Sequence, residues 1–382
     1  MEKTCRYNEC TGCQACASVC PKDCITFFNG EDGQLLPKID QKKCIDCNKC
    51  KQVCPVLATY DFNYPTKAYA AINTNREDYL TSTSGGAGQA LAKLTIKNGG
   101  IVYGCASLPG TKIEHIRVDD IEHLHLLQGS KYVQSKTINI LKSVIRDVKD
   151  GRLVTFFGTP CQTASIRSMF PRKPKNLLLV ELICHGVPSM KMLRNYFKHH
   201  GLDLNDIDKI LFRTSAGFQI VTIKIDKDGE RITYQSCPLK KSPYSDGYYS
   251  PFYYGLSFRE SCYKCRFARR ERVADITIGD FWGLGKFGNM DEIPSHPDGI
   301  SVVLSNTNIG TKALAEVIPY LDLFERPVEE AIQGNPQLRH SSIWSWRNDL
   351  YKWSKPFLGT LLAFRLVMLD RIIRTKIKKV IS

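Results

Sequence analysis

The chain has 382 residues, 43% hydrophobic and 24% charged, a balance that supports the cores of two or three domains and excludes a disordered or fibrous protein. No run of about eighteen uncharged apolar residues marks a membrane span, and the start Met1-Glu-Lys-Thr-Cys5 has no apolar leader, so the expected compartment is the cytoplasm. A formal net charge of +15 asks for an anionic partner, but no DNA- or RNA-recognition signature accompanies it. An acidic electron carrier, a phosphorylated cofactor or an anionic membrane surface fits, and no nucleic acid is expected.

Two N-terminal runs repeat one cysteine spacing. Cys10, Cys13, Cys16 and Cys20 precede Pro21, and Cys44, Cys47, Cys50 and Cys54 precede Pro55. Four thiolates so spaced hold a cube of iron and sulfide, and in two-cluster ferredoxins the fourth cysteine of each run crosses to the other cluster. Cys10, Cys13, Cys16 and Cys54 are therefore assigned to one 4Fe–4S cluster, and Cys44, Cys47, Cys50 and Cys20 to the second. Three cysteines in so tight a run crowd a tetrahedral zinc, and disulfides are rare in the cytosol. A ferredoxin-like unit over 1–62 follows, with a hairpin from Ile25 to Gly33 between the runs and a linker from Tyr60 to Pro65.

From 66 to 330 the pattern becomes α/β. Ser82-Thr-Ser-Gly-Gly-Ala87 opens an apolar helix through Leu91, Leu94 and Ile96, closed by Gly99-Gly100 before a strand at Ile101. Arg152 to Phe157 and Leu177 to Ile183 are near-continuous apolar runs, as buried parallel strands require. An antiparallel pair spans Gln219 to Asp226 and Arg231 to Gln235. Strands at Asp275 to Gly279 and Ile300 to Leu304 and a helix from Lys312 to Leu321 complete the domain. The expected fold is a two-cluster ferredoxin-like domain followed by a larger mixed α/β flavin-binding domain. Residues 331–382 form a basic, aromatic extension. Its end carries Leu361, Leu362, Leu366, Leu369, Ile373 and Ile377 at near-helical spacing among Arg365, Arg371, Arg374, Lys376, Lys378 and Lys379. Arg365 and Asp370 argue against spanning, which leaves a helix on the inner membrane face or one packed on the protein.

Cys161, Cys184 and the pair Cys262 and Cys265 sit in loops next to apolar strands. Loops at the carboxyl ends of parallel strands converge on one crevice, where these four thiols could hold a third 4Fe–4S cluster. A zinc on the same sulfurs, or thiols that are buried and inert, would give the same sequence.

Ser84-Gly-Gly86, Lys131-Tyr132 with Gln134-Ser135, Phe157-Gly-Thr-Pro-Cys-Gln162, Cys184-His-Gly186 and Ala274 to Gly283 together resemble the beta subunits of coenzyme F420 hydrogenases and dehydrogenases. The resemblance covers residues 66 to 300, and it implies a flavoprotein with FAD in the α/β domain and clusters as its one-electron partners. Gly85 and Gly86 at a helix start would seat the pyrophosphate. The resemblance adds Ser84, Gln134, Gly158, Thr159, Asp280 and Trp282 at the flavin, while Lys131 and His185 would meet an anionic substrate tail or the reduced flavin. The function expected is an iron–sulfur flavoprotein oxidoreductase between a reduced carrier, a ferredoxin or a deazaflavin coenzyme, and an unidentified substrate. Its rival is an electron-transfer subunit of a larger redox complex with no substrate chemistry of its own.

Overall fold

The structure, a computed structural model, describes residues 4–287, 289–291, 293–294 and 299–381. The cysteine runs surround an antiparallel hairpin of β1 (Ile25–Asn29) and β2 (Leu35–Ile39), each run carrying one helical turn, α1 (Ala15–Ser18) and α2 (Lys49–Gln52). The repeat in sequence is a repeat of backbone. Gly12 and Gln14 have φ of 66° and 64°, and their counterparts Asp46 and Asn48 have 54° and 58°. Left-handed residues at alternate positions curl a short loop into a concavity lined by N–H groups, which suits an anionic cluster.

The expected linker is a packed strap. The Tyr60 hydroxyl donates to Ala164 O at 3.1 Å and lies 2.6 Å from Ser168 Oγ, its ring meets Phe62 and Phe267 edge-on, and Asn63 pairs with Arg272.

The chain then runs through β3 (Lys67–Asn73), α3 (Arg76–Leu80), α4 (Ala87–Lys97), β4 (Ile101–Leu108), β5 (Lys112–Val118), α5 (Ile138–Lys149), β6 (Val154–Gly158), α6 (Pro160–Arg167), β7 (Leu177–Leu182) and α7 (Met190–His199). A three-stranded antiparallel sheet follows, β8 (Lys209–Thr214), β9 (Gly217–Asp226) and β10 (Gly229–Gln235), then α8 (Tyr249–Tyr253). Next come β11 (Ile276–Asp280), β12 (Ser301–Ser305), α9 (Asn308–Glu316), β13 (Leu321–Arg326), α10 (Val328–Gly334), α11 (Trp346–Val367) and α12 (Leu369–Ile381). The helix expected from Lys312 starts earlier because the Thr307 hydroxyl accepts from Gly310 N at 3.2 Å and fixes the first turn; Pro319 follows soon after its end.

The main sheet has the order β13-β3-β12-β11-β7-β6-β4-β5. Its centre, β11-β7-β6-β4, is parallel and its flanks are antiparallel. Leu177 and Leu179 of β7 pack towards α5 and α6, and Leu178 and Val180 towards α4 and α9. Both faces are covered, which is why the strand reads as a continuous apolar run. Each such buried side chain contributes roughly 1.5–3 kcal/mol.

One charged pair breaks this apolar centre. Glu181 on β7 and Arg272 before β11 are both buried and bonded to each other. Arg272 also donates to Phe267 O at 3.0 Å and Arg269 O at 2.7 Å, and Glu181 accepts from the Thr277 hydroxyl at 2.9 Å. Arg272→Met would strand a buried carboxylate and should cost about 3–5 kcal/mol in urea denaturation. Arg270→Met, which removes an exposed ion pair with Glu329, should cost less than about 1 kcal/mol.

Candidate functional site: three thiol sets beside one cavity

In the first set, Cys10, Cys13, Cys16 and Cys54 lie within electrostatic range of one another. In the second, Cys20, Cys44, Cys47 and Cys50 line one shallow pocket. The fourth thiol of each run thus sits with the first three of the other. Sequence reasoning overlooked Cys5 and Cys24, which fall outside the repeat. Cys5 bonds to Cys10 and Cys54, so its own thiol is held protonated while the other two are drawn down to about 6 and about 7. The Cys24 sulfur lies 3.3 Å from that of Cys20, and burial together with this contact pushes it up to about 12.

The third set is built by the parallel strands. Cys161 lies in the first turn of α6, directly after β6, under a capping box made by Thr159 and Gln162. Cys184 follows β7, and Cys262 and Cys265 come from the turn at Glu260–Lys264 and its C-cap. All four line one pocket of about 40 Å³. Burial pushes Cys161 up to about 12 and Cys262 to about 11, and raises Cys184 and Cys265 as well. Thiols raised in this way are protonated at neutral pH, and a cationic metal group bound to them would displace those protons. Among the described residues, no three His, Cys, Asp or Glu are grouped as the site of a single metal ion.

Arg259 joins the first set to the third. Only 2% exposed, it donates to Cys10 O at 2.5 Å, Leu35 O at 2.6 Å and Gln134 Oε1 at 2.8 Å. The Gln134 amide in turn donates to Thr11 O at 3.3 Å and Gly12 O at 3.2 Å, while Thr137 donates its hydroxyl to Cys13 O at 2.7 Å. The first cysteine loop is thereby bolted to the α/β domain.

Next to the third set opens a cavity of about 250 Å³ at the carboxyl ends of β6, β7 and β11. Ser84, Gly86, Lys131, Gln134, Gly158, Thr159 and Asp280 line it, as do Cys105, His115 and Ser135. Gly85 and Trp282 do not. A Cβ at Gly85 would stand 2.0 Å from Ala71 O and 2.5 Å from Ser301 N, so this glycine serves the close approach of the α4 loop to β3 and β12. Gly86, at φ 79°, forms the left-handed N-cap of α4. Trp282 lies against His185 with ring centroids 5.0 Å apart, on the side of the thiol pocket that His185 lines. Burial lowers His185 to about 4, which keeps its ring neutral.

Lys131 is lowered by burial to about 8, and its ammonium donates to Leu127 O at 3.0 Å and Gln128 O at 2.6 Å. Asp280 is paired with Arg213 at 2.5 Å. Burial lowers His115 to about 4, so its ring is neutral. Its Nε2 donates to Phe157 O at 2.9 Å, which leaves Nδ1 to accept from the Ser135 hydroxyl at 3.2 Å; that hydroxyl accepts from Gln162 at 3.0 Å. Phe157, Ser135 and Gln162 of this network belong to motifs read from the sequence, whereas His115 does not, since a lone strand histidine reads like any core residue.

Arg259→Met would leave three buried acceptors without a donor at about 1–3 kcal/mol each. It should lower iron occupancy at the first thiol set, read by electron paramagnetic resonance of the reduced protein, and spare the second set.

Residues 151–330 match the family model for the C terminus of the coenzyme F420 hydrogenase/dehydrogenase beta subunit. Residues 9–58 and 36–97 match two models of the 4Fe-4S dicluster domain. No curated protein matches the chain. Among solved structures, a similar chain comes from the xenon derivatization of the F420-reducing [NiFe] hydrogenase complex from Methanosarcina barkeri; it is 18% identical, with 72% of this chain and 92% of that chain covered and a TM-score of 0.45. The chain is thus an iron–sulfur protein with an N-terminal 4Fe-4S dicluster domain, and its residues 151–330 are similar to the C terminus of the coenzyme F420 hydrogenase/dehydrogenase beta subunit.

Proposed function

We propose that the chain is an iron–sulfur flavoprotein oxidoreductase that passes electrons between a reduced carrier, a ferredoxin or a deazaflavin coenzyme, and a further substrate. The observation that carries this reading is contiguity. Cys13 lies within electrostatic range of Cys161, and Cys161 and Thr11 line both the thiol pocket and the cavity. Thiols therefore continue from the first set through the third to the cavity wall, and the second set presents the exposed Cys47 to solvent. When bound, 4Fe–4S clusters supply one-electron steps and FAD supplies exchange between single electrons and pairs.

The remaining roles belong to the chain. On this reading Cys161, Cys184, Cys262 and Cys265 hold a third cluster, and the division into 1–62, 66–330 and 331–382 separates relay, flavin domain and extension. Lys131 and the helix N-termini of α4 and α6, all at the cavity wall, offer positive charge to an anionic ligand such as a pyrophosphate. The Arg213–Asp280 pair and the His115–Ser135 network fix the polar wall in one arrangement. Exposed Lys22, Lys38, Lys42, Lys43 and Lys49 surround the second thiol set and its exposed Ile45, which suits docking by an acidic carrier. None of the sixteen cysteines is in a disulfide, which suits a reducing cytoplasm on this reading.

The deciding experiment is anaerobic purification with an absorption spectrum, acid release of flavin and metal analysis. About twelve irons per chain and one FAD are expected. Reconstituted protein empty of flavin would leave the electron-transfer subunit in its place, and zinc at the third set would remove that cluster.

The pH dependence follows from Lys131. Its ammonium is present below about 8 and lost above, so affinity for FAD should fall as pH rises through about 8. Lys131→Met should bind FAD more weakly at neutral pH and show no such fall; an unchanged profile in titrations by flavin fluorescence would remove the lysine from the site.

A further inference from the structure

The helical end of the chain has two apolar faces, and the protein covers one of them. Tyr351, Ala363, Phe364, Val367 and Met368 are buried with Leu256, and Tyr244 and Tyr254 pack against this cluster. On the other side Trp353 and Phe357 are 68% and 78% exposed, and Leu362, Leu366, Ile373 and Ile377 are exposed as well. Each of these pairs is four residues apart, which puts its members on one helix face. Gly359, at φ 74° and ψ 171° and shortly after Pro356, breaks α11 into two helices along this stretch. Bulky apolar side chains left exposed in this number along one end of the chain mark surface that something else covers.

Charge identifies the cover. α12 carries Arg371, Arg374, Lys376, Lys378 and Lys379 against a single carboxylate, Asp370, which is bonded to Arg347 at 2.8 Å. Two copies of α12 brought face to face would set these cations against each other. Among the described residues no helix is long and apolar enough to cross a membrane. An amphipathic helix with bulky apolar residues on one face and cations beside them fits the plane of a bilayer surface, and exposed tryptophan suits the headgroup boundary.

We propose that the outer face of α11 and α12 lies on an anionic lipid surface, with the exposed apolar side chains in the headgroup–acyl boundary and the basic sequence of α12 drawn to the phosphates. This assignment is independent of the flavin reading.

The test uses the full chain, purified anaerobically with its clusters and sedimented with vesicles of phosphatidylcholine alone or mixed with phosphatidylglycerol. The wild type should pellet with the mixed vesicles and stay in solution with phosphatidylcholine or at high salt. Arg374→Gln with Lys378→Gln should weaken binding about 30-fold, from about 1 kcal/mol per cation. Leu362→Glu with Ile373→Glu should abolish it, with iron content and far-ultraviolet circular dichroism showing that the fold is kept; were that variant to unfold, the charge variant alone decides. Wild type that stays in solution with both vesicle types would overturn the proposal, and so would a charge variant that binds like wild type. A wild-type dimer that Leu362→Glu with Ile373→Glu splits, with no lipid binding, would assign the face to a second copy instead.

Discussion

The arrangement of the site depends on one buried guanidinium. Arg259 has no carboxylate among its hydrogen-bond acceptors; its three side-chain contacts are two backbone carbonyls and an amide oxygen. An arginine cannot shed its proton in a protein, so its charge acts in full on the thiols around it. It draws down Cys10, second to the Cys5 contact, and it opposes the burial that raises Cys161 and Cys262. In a medium of low dielectric one fixed cation acts on two thiol sets at once. The same three bonds also tie the first cysteine loop and the hairpin to the larger domain, so electrostatics and mechanical attachment coincide in a single side chain.

The parallel centre of the sheet does the rest of the positioning. Because β6, β7 and β11 run the same way, their loops emerge at one end. Cys161 and Cys184 therefore come together from strands adjacent in the sheet, and the turn before β11 brings Cys262 and Cys265 to them. The capping box of Thr159 and Gln162 sets the first turn of α6, and Gln162 extends the same order to Ser135 and His115. The thiol pocket and the cavity therefore share a wall.

Legibility followed local chemistry. The cysteine runs, the apolar strands β6 and β7 and the α4 start could be read because spacing and periodicity act within a few residues. β3 could not be read so, because its alanines Ala68, Ala70 and Ala71 are buried for lack of room and have no strand preference of their own. Gly85 stands off the cavity wall against two distant strands, a constraint that no local pattern reports. Cys5 and Cys24 were invisible for a similar reason, since a thiol outside a spacing motif acquires meaning only from what folds against it. Tyr60 to Pro65 looked like a linker because aromatic side chains in a short irregular stretch declare no partner until Phe267 and Ser168 are brought to them.

The two N-terminal thiol sets also differ in their shelter. Cys10, Cys13 and Cys54 are buried and Cys16 is half-covered, whereas in the second set Cys47 is open to solvent and Cys20, Cys44 and Cys50 are all only half-covered. Dioxygen reaches the second set with little protein in its way, while the first lies beneath the α/β domain. Protein handled in air would decay from the outside inward, and its surviving inner centres would be cut off from any carrier that docks at the second set.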